Sequence, residues 1–100
     1  MLEIVKNKVV VDIDEEEARL IERLWYEYNG SRDIIKFLMT DKSVVWEVLQ
    51  EYINVAEKRF TELEMEKNRV ATKYKPEQVD LSKWNYSFDF TEDQITFEEA

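Results

Sequence analysis

The sequence predicts an α+β chain that is mostly α: an antiparallel two-helix hairpin at about 15–39 and 43–74, a short N-terminal strand, and a C-terminal β-hairpin at about 84–90 and 95–97. Three observations predict this class. Trp46, Leu49, Ile53, Ala56, Phe60, Leu63, Lys67, Val70 and Tyr74 follow one another in alternating steps of three and four, the seam of a long helix that lays one stripe against another helix. Ile21, Leu24, Tyr28, Ile35 and Leu38 form a shorter stripe of the same period. The segment Trp84 to Phe90 alternates instead with period two, placing Trp84, Tyr86, Phe88 and Phe90 on one face and Asn85, Ser87 and Asp89 on the other.

Residues 2–13 alternate weakly, with Val9, Val11 and Ile13 opposite Val10 and Asp12, which predicts a short strand, and Asn7 is a candidate turn within it. Asp14 precedes Glu15, Glu16 and Glu17, an N-cap followed by acids that favour the positive end of the helix dipole. The apolar stripe of helix one keeps its phase across Asn29, Gly30 and Ser31, so one helix is expected through the chain's single glycine, at a cost of about 1 kcal/mol. Thr40 to Ser43 reads as a polar connection, short enough to force antiparallel neighbours. The second helix outruns the first, so its end from Leu63 to Tyr74 is expected to overhang or to pack on the terminal strands, before Pro76 stops it. Thr91 to Gln94 supplies a turn, and Ile95 to Phe97 returns as a strand.

The 100 residues fit a single domain with one modest core and little room for an interior pocket. With no Cys and no His, the chain lacks thiolate ligands, the usual zinc and haem ligands, and the commonest general base near neutral pH. The expectation is therefore a protein that is not an enzyme and carries no catalytic, metal or cofactor site. Glu47 with Glu51, and Glu62 with Glu66, have a spacing a carboxylate metal site uses, but they read as a solvated helix face because no His accompanies them. A net charge of −9 disfavours nucleic acid and anionic membranes and favours a basic partner. No apolar run approaches a membrane span or a signal-peptide core, which points to the cytoplasm.

The function class left is protein binding. Candidate contacts are Trp84, Tyr86, Phe88 and Phe90 on the aromatic strand, whose acidic opposite face reads either as protection of an edge strand from aggregation or as suited to β-augmentation of a partner sheet. Trp25 and Trp46 are secondary candidates, and Trp25, Tyr26 and Phe37 lie beside the seam of helix one, where core packing competes with an interface role. Lys67 sits at a seam position and reads either as a snorkelling side chain or as an acceptor for a partner carboxylate.

The run LWYEYNGSRDIIKFL, a long helix ending in KYKPE, and WNYSFDFTEDQITF together resemble the small accessory proteins of radical-SAM ribosomal-peptide modification systems, the CXXX-repeat peptide modification system proteins. Trp84, Asp89, Phe90 and Ile95 match that family's terminal aromatic segment, although the interval from Trp84 to Asp89 is longer here. The resemblance implies a non-catalytic partner of a radical-SAM enzyme, of its precursor peptide, or of both, with the cluster chemistry belonging to the enzyme. Two rival readings stay open on size, charge and seam: an acidic phage-type inhibitor or nucleic-acid mimic, and a self-assembling coiled coil that pairs copies, as a homodimer for example, through the end of the long helix.

Overall fold

The computed structural model describes residues 7–100, in the order β1 (Lys8–Asp12), α1 (Glu15–Thr40), α2 (Trp46–Tyr74), β2 (Trp84–Asp89) and β3 (Gln94–Glu99). The class is α+β, two helices with a small antiparallel sheet. Two compact units divide the chain: one contains the described residues up to Arg19 together with Asn68–Ala100, the other is Leu20–Lys67.

In the first unit the strand order is β1-β3-β2, so the C-terminal strand is central and the N-terminal strand pairs with it. Antiparallel register sets Val9 and Tyr86 on either side of Phe97, and Val11 and Phe88 on either side of Ile95. One face of the sheet is therefore apolar, and Ile95 and Phe97 on it are fully buried. Ile13, Ala18, Val70, Ala71 and Val79 are buried in the same unit. The hairpin turn is built by Asp89, whose Oδ1 accepts from the Thr91 and Glu92 amides, and by Asp93, which takes a left-handed φ of 52°. Arg19 clasps this turn, donating to the Phe90 carbonyl at 2.7 Å and to the Asp93 carboxylate. Asn7 lies opposite Glu99, whose amide donates to its carbonyl at 2.9 Å. The remainder of the expected strand and small hairpin, residues 2–6, lies outside the described residues.

The start of α1 and the end of α2 meet in this unit. Asp14 caps α1 by accepting from the Glu16 amide at 3.1 Å, while its own amide donates to the Tyr74 hydroxyl. Glu17 Oε1 accepts from Lys73 at 2.9 Å and Arg69 at 3.4 Å. Its carboxyl titrates below the ordinary value, first because of the Tyr74 hydroxyl and then because of Lys73, and the pair raises Lys73 in turn. Of the two outcomes expected for the far end of the long helix, the overhang is corrected, and the end lies buried in the unit that holds the terminal strands. Val70 and Ala71 are fully buried and Tyr74 is half-buried. The correction has a simple cause: α2 begins at Trp46, not 43, so the helices have 26 and 29 residues and nearly match, at roughly 39 and 44 Å. Asp41 delays the start by accepting from both the amide and the hydroxyl of Ser43, contacts that also lower its pKa. The same Asp-x-Ser arrangement at Asp80 and Ser82 organises the approach to β2 and lowers Asp80 likewise.

In the second unit the helices are antiparallel neighbours, Tyr28 lying 5.3 Å from Phe60 between ring centroids. Helix α1 continues unbroken through Gly30, whose φ is not positive. Ile21, Leu24, Ala56 and Leu63 are buried along the seam. So is Ser31, only 4% exposed, at the seam step between Tyr28 and Ile35. Its hydroxyl donates to the Glu27 carbonyl at 3.1 Å and accepts from Arg59 at 2.5 Å, so a polar residue is satisfied in an apolar row.

Candidate functional site

The aromatic strand does not stand free. Trp84, Tyr86, Phe88 and Phe90 are half-buried on the side of the sheet that carries Ile95 and Phe97, and Tyr86 contacts Phe97 and Phe88 while Phe88 stacks on Phe90. Among the described residues β3 is paired on both sides, which leaves β1 and β2 as the edges of this sheet. Lys67 is half-buried and its ammonium meets Glu64 at 3.2 Å, one turn away on the same helix.

The second unit is different. Trp25, Tyr26, Phe37 and Trp46 are all exposed, so none of the four is packed into a core. Trp46 was expected to open the buried seam but is 65% exposed, because the facing helix ends at Thr40 and offers nothing opposite it. Trp25 and Tyr26 touch edge to face at 5.1 Å, a small aromatic pair on the surface.

Half of the large exposed apolar side chains of this unit fall into an order that the seam explains. On α2, Val45 just before the helix, then Val48, Tyr52 and Val55, each precede a seam residue by one position. On α1, Ile34 and Phe37 do the same. In an antiparallel pair, positions just before the seam lie on the same flat side of both helices. Arg59 and Glu27, two more such positions, confirm the geometry, since the Arg59 guanidinium donates to the Glu27 carbonyl at 3.2 Å. Ile34, Phe37, Val45, Val48, Tyr52 and Val55 therefore form one apolar surface, with exposures from 39% at Val48 to 70% at Phe37. Trp25, Arg32 and Met39 follow the seam by one position and belong to the opposite side. That side has a groove of about 500 Å³ lined by Tyr28, Ile35, Ile53 and Phe60, flanked by Arg32 and Glu57, with Arg32 lying over the Tyr28 ring.

Sequence reasoning passed over Ile34, Val45, Val48, Tyr52 and Val55. The signal was there, a second stripe in phase with the seam, but the stronger seam absorbed the pattern. Among the described residues no three metal-competent side chains cluster, and no helix is long and apolar enough to cross a membrane. The displaced pKa values of Glu17, Asp41, Lys73 and Asp80 come from the cap, turn and helix-end contacts described above. Comparison of the chain with protein-family models, curated proteins and solved structures finds no match.

Proposed function

We propose that this chain is a non-catalytic protein-binding module of the cytoplasm that docks on a larger enzyme through its helical unit. The observation that carries the reading is the exposure of Trp25, Tyr26 and Trp46 on that unit. Large amphipathic rings left in water at helix positions that tolerate any polar residue are the anchors of protein interfaces, where Trp and Tyr dominate the binding energy. Trp25 and Trp46 take precedence over the strand residues Trp84, Tyr86, Phe88 and Phe90, which are half-buried within their own unit. The acidic net charge, −9, suits a basic protein partner and opposes nucleic acid or an anionic membrane.

The partner class implied by the resemblance is a radical-SAM peptide maturase, its precursor peptide, or both. Co-expression with a radical-SAM peptide maturase and its precursor peptide tests the reading. A complex that survives size-exclusion chromatography, is retained by Trp84→Ala and is lost on combining Trp25→Ala with Trp46→Ala supports it. Failure of the folded chain to associate, or loss with Trp84→Ala alone, argues against the helical unit as the docking element.

A further inference from the structure

We infer that the apolar side of the helical unit, formed by Ile34, Phe37, Val45, Val48, Tyr52 and Val55, is the interface with a second copy of this chain, pairing two hairpins into a four-helix bundle.

Each helix here carries two apolar stripes and the hairpin uses only one of them. The seam is buried at Ile21, Leu24, Ser31, Ala56 and Leu63, whereas Ile34, Phe37, Val45, Val48, Tyr52 and Val55 in the row just before it are exposed on both helices. A helix layer with an apolar flat side is stable when a further layer covers it. The covering layer is specified by the charge pattern. From Val45 to Val55, about 15 Å of helix, the row contains no acidic or basic side chain on α2, and Ile34 and Phe37 contribute none from α1. A strongly basic partner would find no counter-charge in it. The ends of the surface are mixed in sign, with Arg59 and the Arg23–Glu27 pair at one end and Asp41 at the other, so a copy related by a twofold axis meets no block of like charge.

The area agrees with this assignment. Scaled from ring and aliphatic side chains of up to roughly 150–250 Å² each, the six residues expose on the order of 500 Å². With the rim residues this approaches the roughly 800 Å² per partner of a stable interface. It also falls in the upper part of the roughly 300–600 Å² of the largest apolar patch on a typical monomer, a patch that is often functional. The opposite side of the hairpin, with Trp25 and the Tyr28–Phe60 groove, is flanked by Arg32 and Glu57 and stays available to another protein.

Sedimentation equilibrium of the full chain over a hundredfold dilution tests the assignment. The wild-type chain is expected at twice its monomer mass at the upper end. Phe37→Glu and Tyr52→Glu should each weaken self-association by roughly a hundredfold, as central interface residues do. Met65→Glu, on the outer side of α2, should leave it unchanged. Both target side chains are exposed, so the variants should keep their helical circular dichroism; Val48→Thr serves as a milder second probe if one does not. A wild-type chain monomeric throughout overturns the proposal and leaves the surface to a different protein. A dimer indifferent to all three substitutions on this side overturns it equally, by placing the contact elsewhere.

Discussion

Replacing Gly30 with Ala is expected to stabilise the protein, and the size of the effect follows from the backbone. Gly30 lies fifteen residues into a continuous 26-residue helix, without a positive φ, and a Cβ built there meets nothing within 4 Å. Neither strain nor a clash opposes the substitution. What remains is the helix-propensity difference, about 1 kcal/mol in favour of Ala, largely through the smaller entropy of the unfolded chain. For a domain of this length that corresponds to a rise in Tm of roughly 4–8 °C. The assay is urea denaturation followed by circular dichroism at fixed protein concentration, because self-association adds its own stability. The expected result is a higher midpoint with an unchanged slope. A lower midpoint would refute the reasoning, since it would mean that the helix ends at Gly30 in a left-handed conformation where a side chain is penalised.

Three further predictions concern the first unit. Phe97, fully buried on the central strand, should cost about 3–5 kcal/mol when truncated to Ala, read as a lower urea midpoint. Arg19→Ala removes the donor to both Phe90 and Asp93 and should lower stability by about 1–2 kcal/mol, with the amides of residues 90–93 exchanging faster with solvent; unchanged exchange would show that the turn holds itself. Glu17 has a folded pKa below its ordinary 4.5, so its contribution is present above that value and is lost as pH falls through the folded pKa. Urea midpoints measured between neutral and strongly acidic pH should therefore fall more steeply for the wild type than for Glu17→Gln, and identical acid limbs would count against the clamp. Lys73 gives the opposite sign: its raised pKa supplies stability below its unfolded value that disappears as pH rises through the folded one.

Much of the fold is legible in the sequence because local signals and packing agree. Asp14 with three following glutamates fixes the start of α1, Pro76 limits α2, and the alternation from Trp84 to Asp89 gives β2 its half-buried face. Three features were harder to read. The start of α2 shifted because Asp41 and Ser43 form a turn with each other instead of capping a helix. Ser31 was skipped as a seam residue because its burial depends on Arg59, 28 positions away, which no local pattern shows. The apolar side of the hairpin was hidden for a different reason: a stripe one position from a strong seam broadens the apolar arc and does not change its period. Only the helix pairing reveals which half of that arc is left in water.

The chain has no Cys, so a single introduced thiol reports on its surroundings without background. Val48→Cys, at the centre of the apolar side, and Met65→Cys, on the outer side of the same helix, can be oxidised in parallel under dilute conditions. If copies pair through the apolar side, Val48→Cys forms a covalent dimer rapidly and Met65→Cys does not, since a disulfide requires Cα atoms within about 7 Å. Equal, slow cross-linking of both variants, or faster cross-linking at Met65→Cys, would contradict the assignment of that side as the interface.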